Sequence, residues 1–490
     1  MTHSPFAATR WVLASSVGFR IVAIFGQWII LRLVEKEVFG AYRGIVSIHL
    51  MLLALLPLGM DMLLVREKSR RARYAVALSW LLALAGGVLS LGTLVAALAP
   101  AFSPRSLLAS LLDLEGDYAA ALLMAPIFAV QAFKLAVRAP LSARLDFRKI
   151  SIAEFGNGVI TWIGGALAVI AVPNAFALLA AYLAGELFEF LFMLRGERWE
   201  PSSVFQRRRL SIVKTLWRRH RRFCLFNAVD LTVNNVASLA PGVLLLMWVS
   251  KEANADFQVA ATVIVLPVML LVGAIHRVTF PTISGLSDVE LHHRCLAIVG
   301  AGACFIAPAV IGFAVFAEST VWILGGAKYA SAAALVPWMA GYMFLTAIYS
   351  PISSLDVVRD RPEVGMYWNL LHLAVRVAVL WLFHERGATF AIAAMAVAST
   401  LLWLLWVWLL GELLAAGMER YFRAVVRFAP MWMVAGAGFW LAERFAAGRP
   451  FELLLGPLFG IPVALFYLAL VWKFHPLETR LLKKLARGGR

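Results

Sequence analysis

Two arginines lie in the middle of long apolar stretches, where a charge is costly and therefore informative. Arg20 is near the centre of the apolar segment 11–33, and Arg376 lies inside the segment 364–384. A charged side chain at bilayer depth is expected to face a protein interior or a water-filled cavity. A guanidinium offers several fixed donors and keeps its charge, which suits phosphate. We therefore predict that both arginines line a cavity and bind an anion, with a buried structural ion pair as the alternative.

Other polar residues form stripes along predicted helices. Ser16, Arg20 and Gln27 are spaced i, i+4 and i+11, which places them on one helical face. Three more segments carry such stripes: Asn227, Asp230, Asn234 and Ser238 in 223–249; Glu154, Asn157 and Thr161 in 151–172; and Asn369, His372 and Arg376 in 364–384. This distribution favours a polar cavity lined by a few helices. Asparagines in membrane helices also form hydrogen bonds between helices, so Asn227 and Asn234 remain open to that explanation.

Several charged residues have a simpler interpretation. Lys134 and Arg138 lie near one end of the fourth apolar span, where long basic side chains can reach the membrane interface. Asp61, Glu186 and Glu189 also lie near the ends of spans and are expected to pair with basic loops. These residues are therefore not predicted to belong to a binding site.

The composition requires a membrane environment. Of the 490 residues, 62% are hydrophobic and only 15% are charged, which is too apolar for a soluble protein. The net charge of +17 comes from basic residues in short loops between apolar runs, a positive-inside pattern and not a nucleic-acid footprint. We predict an all-α integral membrane protein with about 14 transmembrane helices, both termini cytoplasmic, and no nucleic-acid partner.

The spacing of the spans predicts an internal duplication. Six spans form an N-terminal lobe, 1–194, and a basic cytoplasmic linker, 195–222, follows them. Six more spans form a C-terminal lobe, 223–411, and residues 412–490 supply two additional helices and a basic tail. An even number of spans per lobe gives the two pseudo-symmetric lobes the same orientation, related by an axis along the membrane normal.

A weak sequence similarity between two segments, one in each half, supports this duplication. The run KEVFGAYRGIVSIHLMLLALLP begins at Lys36, and KEANADFQVAATVIVLPVMLLVG begins at Lys251. Each run follows the first span of its half. The same offset places Asn235 at the position of Arg20, so the first helix of each half has a polar residue at the same point.

No motif for catalysis is present in the sequence. It contains no G-x-x-x-x-G-K-[ST] loop, no H-E-x-x-H pair and no nucleophile elbow. We predict no catalytic residues, no metal site and no cofactor, and we do not expect an enzyme.

Four stretches resemble a known family. They are FRIVAIFGQWIILRLVEKEVFGAY, LGMDMLLVREKSRR, LSARLDFRKISIAEFGNG and WILGGAKYASAAALVPWM. Together with fourteen spans and a basic linker after the sixth, they resemble polysaccharide flippases of the Wzx type, within the multidrug/oligosaccharidyl-lipid/polysaccharide exporter superfamily. The resemblance implies two six-helix lobes around a V-shaped central cavity that opens alternately to either side. It also implies a cationic interior for an undecaprenyl-pyrophosphate-linked oligosaccharide, with Arg20 at the position of a cavity arginine.

The expected function is translocation of that lipid-linked oligosaccharide across the bacterial cytoplasmic membrane by alternating access. The substrate-binding candidates are Arg20, Arg376, Gln27, Asn234, Asn235 and His372. Asp230 or Glu154 is expected to couple an ion or to hold an arginine in place, and the candidate drives are an H+ gradient, a Na+ gradient or the membrane potential. Membrane lipids are expected partners, and a glycan polymerase and other biosynthesis components are candidate partners. The alternatives are an ion-coupled multidrug exporter of the same superfamily and, less favoured, a membrane glycan polymerase.

Overall fold

The structure is a computed structural model in which every regular element of the described residues is helical. The described residues are 5–53, 82, 85–90, 92, 122–143, 146–195, 207–283, 286–353, 355, 359, 361–413, 418–447 and 451–474. The predicted all-α class is therefore confirmed. Asp61, most of the third predicted span at 75–99, and the tail after residue 474 lie outside the described residues.

Eight helices in the described part of the chain are long and apolar enough to cross a membrane. The number is nine if the bent pair Ala327–Ala333 and Val336–Ile352 counts as one span. The helix that carries Arg43 does not belong to this set, because its 18 residues include three charged ones, Lys36, Glu37 and Arg43. The chain is thus a multi-pass membrane protein, and the total of fourteen spans stays a prediction.

Contacts divide the chain into two compact units, Met1–Ala255 and Asp256–Arg490. This division follows the predicted seventh span, which therefore packs within unit 1. The predicted boundaries of the lobes, the linker and the C-terminal pair stay predictions. The helices of unit 1 are α1 (Pro5–Leu33), α2 (Lys36–Leu53), α3 (Met124–Ala143), α4 (Phe147–Gly158), α5 (Gly165–Ala171), α6 (Ala175–Leu194), α7 (Arg207–Trp248) and the first turn of α8 (Lys251–Ile283).

The predicted fifth span is one continuous rod with a local irregularity. A π-helical turn, Val159–Gly164, joins α4 to α5, and such turns locally widen an α-helix. The rod ends before Pro173, where the extended backbone of Val172 fits the restriction that proline places on the preceding residue. Asn174 then caps α6 by accepting a hydrogen bond from the Ala177 backbone N–H at 2.9 Å.

Helix α1 lies directly against this rod. A Cβ atom added at Gly26 would lie 2.5 Å from Trp162 Cβ and 2.7 Å from the Trp162 carbonyl oxygen. Only a residue without a side chain fits there, because Trp162 belongs to the π-helical turn and its backbone approaches α1. Gly26 therefore sets the distance between the helix that carries Arg20 and the helix that carries Glu154.

We expect Gly26→Val to lower stability by about 1–3 kcal/mol, the usual cost of overpacking a close contact. Thermal unfolding of the detergent-purified protein measures this effect. Gly341→Ala is the matched control, because a Cβ there would meet no atom within 4 Å. That control should gain about 0.5–1 kcal/mol from the lower flexibility of the unfolded chain. Equal loss in both variants would contradict the close approach.

Each of the two similar segments begins a helix at its first lysine: α2 begins at Lys36 and α8 begins at Lys251. The starts of these helices touch within unit 1. Asn254 Nδ2 donates to the carbonyl oxygen of Gly40 at 2.7 Å, and a Cβ at Gly40 would lie 2.1 Å from the Lys251 carbonyl oxygen. The starts of the two segments therefore touch, and the duplication that their similarity suggests stays a prediction.

Ser250 and Glu252 shape the start of α8. The Ser250 side-chain oxygen accepts a hydrogen bond from the Ala253 backbone N–H at 3.1 Å, which caps the helix. A hydrogen bond with Ser250 is also the main reason that the pKa of Glu252 lies below its ordinary value. This carboxylate is therefore charged at neutral pH, beside Lys36 and Glu37 of α2.

Unit 2 is built around α9, a 28-residue helix with a nearly continuous apolar surface. Its helices are the remainder of α8, then α9 (Asp288–Val315), α10 (Ala317–Gly325), α11 (Ala330–Ala333), α12 (Val336–Tyr349), α13 (Pro362–Phe383), α14 (Ala388–Leu413), α15 (Met418–Val426), α16 (Ala429–Ala446) and α17 (Glu452–Phe474). Short 3-10 turns lie at Ala327–Tyr329, Ser350–Ile352 and His384–Arg386.

The last helices are fixed to α9 by aromatic side chains with polar groups. Tyr467 Oη donates to the Cys304 carbonyl oxygen at 2.7 Å, and Trp432 Nε1 donates to the Ala303 carbonyl oxygen at 3.2 Å. These donors need partners because they lie in an apolar core. Helices α16 and α17 are consequently part of the core of unit 2.

Candidate functional site

A buried cluster of charged side chains occupies the interior of unit 1. Lys134 of α3 forms ion pairs with both Glu186 and Glu189 of α6, with Nζ 3.0 Å from Glu189 Oε2. The Lys134 side chain is only 11% exposed, and the two glutamates are still more buried. The interfacial interpretation of these residues is therefore wrong: the basic and acidic residues of neighbouring spans pair with each other.

Asn157 connects this cluster to α4. Its Nδ2 donates to Glu189 Oε2 at 2.6 Å and to Glu186 Oε1 at 3.1 Å, while its Oδ1 accepts from Thr161 Oγ1 at 2.8 Å. Gly185 allows this approach, because a Cβ there would lie 2.3 Å from Thr161 Oγ1 and 2.5 Å from Asn157 Oδ1. The predicted polar stripe of the fifth span thus faces α6.

Glu154 completes the cluster on the same face of α4. Arg138 Nη2 donates to Glu154 Oε1 at 2.5 Å, and Arg138 Nη1 lies 3.9 Å from Glu189 Oε1. Of its two predicted roles, Glu154 is placed where it can hold an arginine. The ion-coupling role predicted for it stays a prediction.

A hydrogen-bonded chain extends from the cluster to α2. His49 Nε2 donates to Gln131 Oε1 at 2.6 Å, and Gln131 Nε2 donates to Tyr182 Oη at 2.7 Å. Tyr182 lies one turn before Glu186 on α6. Helices α2, α3, α4 and α6 therefore share one buried polar interior, which unpaired polar groups would make unstable.

The other predicted residues of unit 1 lie on α1 and α7. Arg20 is half-buried and Gln27 is buried on α1. On α7, Asp230 is half-buried, and the side chains of Asn234 and Asn235 are exposed. The side chains of Ser16 and Asn227 lie outside the described residues. Ser238 Oγ donates to the Asn234 carbonyl oxygen at 2.8 Å, so its hydroxyl is satisfied within the helix.

Arg376 is enclosed within unit 2. It is 6% exposed, its Nε donates to Ser399 Oγ of α14 at 3.2 Å, and its guanidinium lies 5.3 Å from the ring centre of Tyr342 of α12. Cation–π contact and hydrogen bonding stabilise the charge in such a site. Arg376 therefore has local partners, and the cavity role predicted for it stays a prediction.

His372 lies one turn from Arg376 on α13, in an aromatic cluster. Its ring stacks on Trp368 at 5.7 Å between ring centres and meets the edge of Trp403 at 6.4 Å. Its Nε2 is buried and has no hydrogen-bond partner among the described residues. Two residues of the predicted polar stripe, His372 and Arg376, therefore lie on a face of α13 that packs against other helices of unit 2.

Sequence reasoning missed the pairing of Lys134 with Glu186 and Glu189. A signal was present: Lys134 and Arg138 share a face of α3 at i, i+4, and Glu186 and Glu189 share a face of α6 at i, i+3. Opposite charges on two spans of the same lobe, at similar distances from their ends, make those spans candidate partners.

Comparison with known proteins identifies the family of this chain. The sequence profile of a family described as polysaccharide biosynthesis proteins matches residues 29–334. The chain belongs to this polysaccharide biosynthesis protein family. The family member is similar to the teichuronic acid biosynthesis protein TuaB of Bacillus subtilis (strain 168), with 23% identity over 365 residues, which cover 71% of this chain and 72% of that protein.

Solved structures show the fold of this polysaccharide biosynthesis protein. The lipid II flippase MurJ, in an inward closed conformation, superposes with a TM-score of 0.72 at 14% identity, covering 94% of this chain and 98% of that one. An outward-facing multidrug resistance MATE transporter of the MOP superfamily gives a TM-score of 0.56 at 14% identity, covering 84% and 97%. The resemblance to a polysaccharide family is confirmed by the family match, and the solved structures show that the fold is like that of MurJ and of MATE transporters.

Proposed function

We propose that this polysaccharide biosynthesis protein translocates an undecaprenyl-pyrophosphate-linked oligosaccharide across the bacterial cytoplasmic membrane by alternating access, without enzymatic activity. The observation that carries the proposal is the family match combined with the fold of a lipid II flippase. The task is to move a polar headgroup through hydrocarbon while the polyprenyl tail stays in lipid. A hydrated, cationic cavity with a lateral opening to the lipid meets both requirements.

In this proposal Arg20 and Arg376 contact the pyrophosphate or an acidic sugar. Arginine suits phosphate because its fork of donors is fixed and always charged. Gln27, Asn234, Asn235 and His372 would supply uncharged contacts to the glycan, and Asp230 or Glu154 would couple an ion or hold an arginine. Both termini lie in the cytoplasm, and glycan polymerase and other biosynthesis components are the expected protein partners.

Deleting the gene tests this proposal in cells. We expect lipid-linked repeat units to accumulate on the cytoplasmic face of the membrane, where a membrane-impermeant label added from outside does not reach them. Re-expression of the wild-type chain should restore labelling from outside. Repeat units that are flipped but unpolymerised in the deletion strain would contradict the flippase proposal and favour a polymerase.

The second candidate is an ion-coupled multidrug exporter, which the similarity to MATE transporters keeps open. Exporters of cationic drugs need acidic binding residues, whereas the mid-span charges of this chain include two arginines, Arg20 and Arg376. Efflux of a cationic dye from cells that overproduce the protein, with no effect of gene deletion on lipid-linked glycans, would favour this candidate.

A further inference from the structure

Helix α15 carries three exposed arginines on one of its sides. Arg420, Arg423 and Arg427 are spaced i, i+3 and i+7, which places them on one helical face. Arg427 directly follows α15, and its backbone N–H donates to the Arg423 carbonyl oxygen at 3.1 Å, which continues the helical turn. The three positive charges therefore form one basic face.

A second face of α15 packs into unit 2 and fixes the orientation of the helix. Tyr421, Val425 and Phe428 are buried in the apolar core around α9. Tyr421 Oη donates to Nδ1 of His292, a residue of α9, at 3.2 Å, and the two rings meet edge to face with 5.6 Å between their centres. Because this face is anchored, the basic face stays on the outer surface of unit 2.

A third face of α15 is apolar and exposed. Phe422 and Val426, spaced i and i+4, are 48% and 41% exposed. At about 100° per residue these two side chains lie between the buried face and the basic face. An exposed apolar face beside a basic face is the arrangement of a helix at a membrane interface.

The position of α15 along its span places these faces at the level of the lipid headgroups. The range Glu419–Ala446 forms one candidate span of 28 residues, which includes most of α15 and all of α16. At about 1.5 Å per residue this span is about 42 Å long, whereas the hydrocarbon core of a bilayer is about 30 Å thick. Helix α16 alone has 18 residues and is about 27 Å long. Helix α15 therefore extends into the headgroup layer.

We propose that the α15 surface, defined as Arg420, Phe422, Arg423, Val426 and Arg427, binds the headgroups of anionic phospholipids. Guanidinium groups donate several charge-assisted hydrogen bonds to phosphate. Basic residues at a membrane surface gain binding energy from anionic lipids. Phe422 and Val426 contact the acyl chains near the glycerol, and this contact holds the arginines among the phosphates.

Two acidic residues near this surface have defined contacts. Glu419 pairs with Arg423, but both side chains are mostly exposed, so the ion pair is weak and a lipid phosphate can replace it. Glu290, near the start of α9, accepts from Ser287 Oγ and closes the capping box of that helix. Neither contact involves Arg420, so this arginine is expected to have the largest single effect on lipid binding.

An acidic soluble protein and a pyrophosphate group are the competing occupants. An acidic protein matches the arginines, but the depth of α15 places Phe422 and Val426 in lipid, where a soluble partner does not reach them. A pyrophosphate group matches the arginines and makes no use of the two apolar side chains. Binding of phospholipid requires no transport, so this proposal does not rest on the proposed flippase function.

A fluorophore on α15 tests the proposal with the full chain in phosphatidylcholine liposomes that contain no glycan. The fluorophore is attached at Glu419→Cys in a chain whose Cys224, Cys295 and Cys304 are replaced by alanine. We expect an acyl-chain nitroxide on phosphatidylglycerol to quench it more strongly than the same nitroxide on phosphatidylcholine. Raising the salt concentration from about 0.1 M to about 1 M should reduce this preference, because the Debye length falls from about 10 Å to about 3 Å.

Variants identify the arginines as the cause. Replacing Arg420, Arg423 and Arg427 together by glutamine should abolish the preference, whereas replacing them by lysine, which keeps the charges, should retain most of it. Arg420→Gln alone should lower the preference about fivefold, the factor that corresponds to one basic residue near an anionic surface. If the triple glutamine variant does not fold, this single variant decides. A fluorophore at Glu385→Cys, in the turn that contains Arg386, is the matched control and should show little preference.

Several outcomes would overturn the proposal. Equal quenching by the two lipids in the wild-type background, or an unchanged preference in the glutamine variants, would show that the arginines do not select anionic lipid. Absence of quenching by either lipid would place α15 outside the bilayer surface and favour a protein partner. Loss of the preference on adding inorganic pyrophosphate at constant ionic strength would indicate a site for free phosphate groups. A preference that persists when gene deletion leaves lipid-linked glycans unaltered would support lipid binding and contradict only the flippase proposal.

Discussion

Replacing Lys134 by methionine is expected to destabilise the protein by about 3–5 kcal/mol, because the substitution leaves Glu186 and Glu189 buried without their shared cation. Methionine keeps most of the volume of the lysine stem, so the loss reports charge and not a cavity. The midpoint of thermal unfolding of the purified protein in detergent measures the effect.

Arg423→Met is the matched control for this experiment. Arg423 is also paired with a glutamate, Glu419, but the two side chains are 73% and 71% exposed. Exposed ion pairs contribute little, so the midpoint should hardly change. If Lys134→Met behaved like this control, the cluster would have to be hydrated in the membrane, and its buried charges would not hold α3 against α6.

Replacing Arg376 by alanine or lysine is expected to lower headgroup translocation in proteoliposomes at least about tenfold. The basis is a charge-assisted hydrogen bond to the substrate of about 1.5–3 kcal/mol, where 1.4 kcal/mol corresponds to a factor of ten. Lysine keeps the charge but loses the planar fork, so it should rescue only in part. Transport is measured per folded molecule, as the fraction of lipid-linked oligosaccharide that becomes accessible to an added glycosidase.

Arg386→Ala is the matched control. Arg386 lies just after α13, the helix that carries Arg376, and its guanidinium contacts the rings of Phe383 and Phe390. It should transport as the wild type does. The contacts of Arg376 with Ser399 and Tyr342 define the competing explanation. Unchanged transport per folded molecule together with a lower unfolding midpoint would assign Arg376 a purely structural role.

The sequence by itself determined the class, the family and the polar faces of individual helices. Continuous apolar runs of about 20 residues predict helices, because a helix of that length spans the bilayer and satisfies its backbone hydrogen bonds within the segment. Helical periodicity placed Glu154, Asn157 and Thr161 on one face, and the structure places the last two together in a hydrogen bond. The break at Pro173 followed from the local effect of proline on the preceding residue.

Only the tertiary structure decided which polar faces meet. Lys134 and Glu186 lie on different helices, and periodicity within each helix gives the face but not the neighbour that the face contacts. The close approach at Gly26 depends on a π-helical turn that no residue pattern predicts, and the approach at Gly185 depends on the side chains of Asn157 and Thr161. Burial then removed water as a partner, so a lysine predicted at the membrane interface became the centre of a buried cluster.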